Sequence, residues 1–137
     1  MISSAWSFET SLNLLACGID LERIDRFHKW AGGGDNPPDF VFSEREADHV
    51  RTLPDPALGL CACFCCKEAV VKALGEPFNL TDCELLPEFN KETNEIHMSL
   101  RLRKKYGIAR SQARVRRNDL DEQELVVIAY IFRKAGE

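Results

Sequence analysis

The chain has 137 residues, an apolar fraction of 45% and a formal net charge of −4. That length suits one domain with a sizeable core. The charge argues against general nucleic-acid binding, and no apolar run approaches the about 18 residues of a membrane-spanning helix.

Residues 1–10 read as a flexible leader and 11–137 as a single domain. Met1 to Thr10 holds no Lys or Arg, and the short apolar stretch ending at Leu14-Leu15-Ala16-Cys17 lacks the basic start and long middle of an export signal. Leu12 to Ile19 predicts a short buried strand. Asp20 to Trp30 carries Leu21, Ile24 and Phe27 at helical spacing. Ala31 to Pro38, with three glycines and two prolines, is a flexible loop. Ser43 and Glu46 form a capping box that starts a helix fading near Leu53-Pro54. Ala57 to Leu74 is the longest helix, uncharged until Lys67 and stopped by Gly75. Cys83 to Leu86 and Glu95 to Met98 are strands around a polar turn. Ser99 to Tyr106 is a short amphipathic helix ending at Gly107. Gln112 to Arg117 and Glu124 to Phe132 are strands joined by a turn at Asn118 to Asp121. This order predicts an α+β domain: a mostly antiparallel sheet packed against a long central helix.

Six cysteines stand at positions 17, 61, 63, 65, 66 and 83. Four crowd into one helical segment, where most point in different directions, and no C-x-x-C spacing repeats. They read as reduced, largely buried thiols of a cytoplasmic protein.

Two stretches carry chemistry. Gly18-Ile19-Asp20-Leu21-Glu22 puts acids at a strand end, where Asp20 and Glu22 share a face if the backbone stays extended. The bland alternative is two acids in the first turn of a helix, favoured by its dipole. Phe64 to Gly75 puts Lys67, Glu68 and Lys72 on the central helix, with Glu68 and Lys72 one turn apart. On an arbitrary helix that pair is a solvated i,i+4 ion pair worth about 0.3–0.5 kcal/mol. On a helix otherwise lined with Ala69, Val70, Val71, Ala73 and Leu74, a charged stripe calls for a partner. Mg²⁺ prefers one or two carboxylates plus phosphate oxygens, so the two stretches together suggest a Mg²⁺–diphosphate site with a lysine beside it.

These blocks resemble the G-I-D and F-x-x-K-E-A-x-x-K-A-x-G signatures of the 4'-phosphopantetheinyl transferases, in particular the small holo-acyl-carrier-protein synthase type. The resemblance covers Leu12 to Phe132 and is specific at the two blocks. It implies transfer of 4'-phosphopantetheine from coenzyme A to a serine of an acyl carrier protein. It also implies Asp20 and Glu68 as metal carboxylates, Glu22 as a third acid, and Lys72, with Lys67, as phosphate contacts. Arg23 and Arg26 would dock the acidic carrier protein, and copies would assemble as a homotrimer with clefts at subunit boundaries. Without the resemblance those arginines are ordinary solvated charges. Family members often carry Ser-x-Ser-His before the last strand. Here Ala113 to Asp119 holds no histidine, and Arg116, Arg117 or Asn118 stand as substitute phosphate binders. Cys63 also stands where an arginine is common. The chain therefore reads as a divergent member, with a weakened or inactive relative that binds coenzyme A or a carrier protein as the alternative.

Overall fold

The computed structural model describes residues 12–32 and 35–136, so the expected leader lies outside the described residues. Strands β1 (Leu12–Arg23), β2 (Cys83–Leu85), β3 (Thr93–Met98), β4 (Arg110–Asn118) and β5 (Asp121–Lys134) form one sheet in the order β1-β5-β4-β3-β2. Every neighbouring pair is antiparallel. Helices α1 (His28–Ala31), α2 (Glu44–Arg51), α3 (Pro56–Leu74) and α4 (Leu100–Tyr106) complete the α+β domain. No helix among the described residues is long and apolar enough to cross a membrane.

Helix α3 organises the core. Asp55 caps its first turn by accepting from the Leu58 N–H at 3.2 Å, and Pro56 occupies the first helical position, where a missing N–H costs nothing. Gly75 ends it in the left-handed region at φ 79°, donating to Val71 O. Its first three turns are apolar nearly all round, the signature of a helix enclosed by other elements. Leu60, Cys61, Ala62, Cys65, Cys66, Ala69 and Val70 are buried, together with Leu125, Val127, Ala129 and Ile131 from β5. Each buried aliphatic side chain of this kind contributes roughly 1.5–3 kcal/mol.

Strand β1 corrects the expected start of the fold. It is a long edge strand with a half-exposed outer face, and it continues through Asp20, Glu22 and Arg23 instead of turning helical at Asp20. Glu22 and Arg23 still pair with Leu125 and Glu124 of β5. The long β5 offers ladder partners that outweigh the helical spacing of Leu21, Ile24 and Phe27. A 3₁₀ turn (Ile24–Phe27) and the short α1 follow. The capping box at Ser43 and Glu46, the ends of α3 and the β4–β5 turn stand where the residue pattern puts them.

Candidate active site

Alternation along β1 turns Gly18, Asp20 and Glu22 toward α3, and Ile19 and Leu21 to the open face of the sheet. Gly18 lets the strand press on the helix backbone: a Cβ there would meet Ala69 O at 2.0 Å and Ala73 N at 2.8 Å. The Cys65 thiol adds a tether by donating to Asp20 O at 3.2 Å. The small residues Cys65, Ala69 and Ala73 form the face of α3 that receives β1, so the spacing that seats the strand also carries Glu68 and Lys72 to the acids.

The result is a cluster of three carboxylates and one lysine. Asp20 is only 7% exposed. Its Oδ1 accepts from Lys72 Nζ at 2.6 Å, whereas its buried Oδ2 has no hydrogen-bond donor among the described residues. Lys72 thus pairs across to the strand and not with Glu68, its neighbour one turn back. Burial raises the Glu22 pKa; Arg26 opposes that rise, and the charges of Asp20 and Glu68 add to it. Arg26 Nη1 bonds Glu22 Oε2 at 2.5 Å. The Lys72 ammonium is held above its ordinary pKa by its hydrogen bond to Asp20.

An orphaned, buried carboxylate oxygen beside two further acids fits a hard divalent cation. No group of three or more His, Cys, Asp or Glu side chains forms a ready cage among the described residues. Mg²⁺ does not need one, because it takes one or two carboxylates and fills the rest of its shell with water and substrate phosphate.

Lys67 overturns its expected role as a phosphate or surface group. It is fully buried on another face of α3, where its Nζ bonds Glu46 Oε1 at 2.8 Å and donates to Leu80 O at 2.9 Å and to Cys83 O. Glu46, equally buried, accepts from Ser43 N at 3.0 Å and Leu85 N at 2.9 Å. The network satisfies all three ammonium protons and ties α2, α3 and β2 together. Glu46 was legible as a helix cap, but its pairing with Lys67 was not. The available signal was a lysine in an apolar helix, which demands a buried acid.

Arg23 and Arg26 have separate partners. Arg23 bonds Asp121 at 2.9 Å and Asp25 at 3.4 Å, while Arg26 rims an apolar cavity of about 300 Å³ with Phe27, Trp30, Phe42 and Phe64. Arg114 and Arg116 stand opposite Ile128 and Val126 in register. Together with Arg117, Leu21 and Asn118 they line a groove of about 340 Å³. Arg116 lies 4.0 Å from Asp119, and Arg117 lies 3.6 Å from Asp55. Leu21 is on the strand face opposite Asp20, so a single chain does not bring Arg116 to the carboxylates.

The model of the 4'-phosphopantetheinyl transferase superfamily matches residues 16–127. The chain belongs to that superfamily. Among curated relatives, a holo-[acyl-carrier-protein] synthase of Salinispora arenicola is 36% identical over 77 residues, a match spanning 55% of this chain and 63% of that protein's length. An acyl carrier protein synthase of Plasmodium yoelii with ADP bound shares the fold at a TM-score of 0.70, with 15% identity over 90% of this chain and 98% of that one. The ACPS–CoA complex of Chronobacterium ammoniagenes gives 0.60, with 20% identity over 87% and 96%. The β1 and α3 residues that build the carboxylate cluster lie inside the matched segment.

Proposed function

We propose that this superfamily member is a Mg²⁺-dependent holo-acyl-carrier-protein synthase, moving 4'-phosphopantetheine from coenzyme A to a carrier-protein serine. The observation that carries the reading is the buried Asp20 carboxylate, bonded to Lys72 through one oxygen and unpartnered at the other. The Salinispora relative's name and the CoA complex of a fold neighbour support the same chemistry.

Asp20 and Glu68, with Glu22 beside them, would hold Mg²⁺, which supplies charge neutralisation at a diphosphate. Lys72 reaches the same place and stabilises charge on the departing phosphate, so that 3',5'-adenosine bisphosphate leaves. A carboxylate of the cluster accepts the proton of the attacking serine. The nucleophile comes from the partner, so the chain needs no triad of its own. Arg26, beside the acids and on the rim of the apolar cavity, is placed to meet an acidic carrier helix, with Arg23 next to it along the chain.

The open sheet face supports association of copies, and a trimer is the assembly we propose. Leu14, Ile19 and Leu21 are each about half exposed on it, beside Val126 and Ile128 of β5. An uncovered apolar face of this kind favours association. Assembly through it would carry Arg116 and Arg117 of one copy toward the cleft of the next, where they would hold phosphates of coenzyme A in place of the absent histidine. The thiols, none of them in a disulfide, suit a reducing cytoplasm.

The test is incubation of the purified protein with coenzyme A, Mg²⁺ and a panel of apo carrier proteins. A mass gain of one phosphopantetheine on a carrier is expected. Calorimetric binding of coenzyme A without transfer would favour the inactive relative instead.

A further inference from the structure

We propose that Lys72 is the resident counter-ion of Asp20, and that a divalent cation gains Asp20 only as an arriving diphosphate draws the lysine away. Cation and diphosphate would then bind as a coupled pair. This rests on the reading of the cleft as a cation–diphosphate site.

The geometry sets up an exchange. Asp20 is over nine-tenths buried, and among the described residues Lys72, at 2.6 Å on Oδ1, is the donor that its carboxylate has, with Oδ2 left without one. Arg26, the other nearby cation, is already paired with Glu22. Lys72 therefore supplies the charge that makes an ionised, buried Asp20 tolerable before any ion arrives. A dication on Asp20 would sit against that ammonium, and two like charges sharing one buried carboxylate repel. The lysine is free to leave. Its side chain is 57% exposed, and it lies two residues before the last residue of α3. The diphosphate is the group that can receive it, because an ammonium serves phosphate as a mobile point charge. A chain of events follows from these placements: the cation alone meets a carboxylate whose charge Lys72 already offsets, and the diphosphate frees that charge by capturing Lys72.

Titration calorimetry of Mn²⁺ into the full chain, alone and with coenzyme A present, tests this, with Lys72→Gln beside the wild type. The wild type should bind Mn²⁺ alone weakly and at least about tenfold more tightly once coenzyme A is present, a coupling of ordinary size. Lys72→Gln should bind Mn²⁺ alone about fivefold or more tighter than wild type, and coenzyme A should tighten it by a clearly smaller factor, leaving only the part due to phosphate oxygens on the cation. Circular dichroism of the variant checks that its fold is kept. Unchanged Mn²⁺ affinity in Lys72→Gln would overturn the proposal. So would an equal gain with and without coenzyme A, since that is a general field effect and not an exchange. Mn²⁺ binding to neither protein under either condition would overturn the cation site itself.

Discussion

A Cβ on Gly18 would stand 2.0 Å from the carbonyl oxygen of Ala69. That approach is closer than real Cβ atoms show, and the obstacle is helix backbone that cannot rotate aside. The glycine before Ile19-Asp20 is thus a contact residue: it seats the strand on α3 and thereby sets where Asp20 stands relative to Lys72.

Gly18→Ala should therefore cost at least the about 1–3 kcal/mol of an overpacked core. Urea unfolding followed by circular dichroism reads the loss. Any Gly18→Ala protein that remains folded should bind cation poorly, because β1 must lift from the helix. Full stability in this variant would show that the strand sits farther from α3 than described.

Asp20→Ala and Glu68→Ala should abolish phosphopantetheine transfer while leaving the fold intact. For Asp20 the expectation is sharper. The substitution removes a buried oxygen with no donor among the described residues and leaves Lys72 largely in solvent. The melting temperature should hold or rise as activity vanishes, the usual sign of a residue kept for function at a cost in stability. A large fall in melting temperature would mean that the Asp20–Lys72 pair is structural.

The buried Lys67–Glu46 pair should behave in the opposite way. Lys67→Met leaves the Glu46 charge enclosed and should cost about 3–5 kcal/mol. Glu46→Gln combined with Lys67→Met should be markedly less destabilising than the two single losses added together, because neither partner is then left as a lone buried charge. Denaturant titration of the four proteins supplies the cycle. Simple additivity would argue against the pairing at 2.8 Å.

Burial raises the thiols of Cys61, Cys63 and Cys65, that of Cys61 to about 12 from an ordinary 9.0, and a hydrogen bond with Cys83 followed by burial raises that of Cys66. An acid whose folded pKa is raised keeps its proton in the fold and loses it more readily when unfolded. Stability should therefore be undiminished below pH 9 and fall as pH rises from there toward 12, by about 1.4 kcal/mol at pH 10 for Cys61 alone. Equilibrium unfolding between pH 8 and 10.5 measures the slope, and Cys61→Ala should make it shallower. A flat profile would contradict the burial of these thiols.

Charge on the open sheet face should change assembly. Ile19→Lys or Ile128→Glu, placed in register with one another on β1 and β5, should shift the protein toward monomer in size-exclusion chromatography with light scattering. Either variant should leave the melting of the single chain nearly unaltered. A monomeric wild type at micromolar concentration would remove the argument for a shared cleft.

Local chemistry was readable wherever it is written in adjacent residues. The capping box at Ser43, the glycine stops at Gly75 and Gly107, the long α3 and the alternation of β5 all follow from a few neighbouring positions. Neighbouring residues leave the extended backbone through Asp20 and Glu22 conditional, because it depends on β5 reaching far enough to pair with Glu22. That is a property of the opposite end of the chain. The same holds for Lys67. Its motif position suggested phosphate, but its partner Glu46 lies twenty-one residues earlier in sequence (67 − 46), on another helix. Lys72 repeats the lesson, for its partner is Asp20 across the fold and not Glu68 one turn away. Helical spacing names which side chains share a face, whereas the tertiary approach at Gly18 decides which of them meet.

One assay decides whether Asp20, Glu68 and Lys72 form a transferase cleft. Intact-mass spectrometry of an apo acyl carrier protein, incubated with coenzyme A, Mg²⁺ and either wild type or Asp20→Ala, tests it most directly. One added phosphopantetheine is expected with wild type and none with Asp20→Ala. Equal modification by both proteins would contradict it, as would unmodified carrier across a broad panel together with no binding of coenzyme A to the wild type.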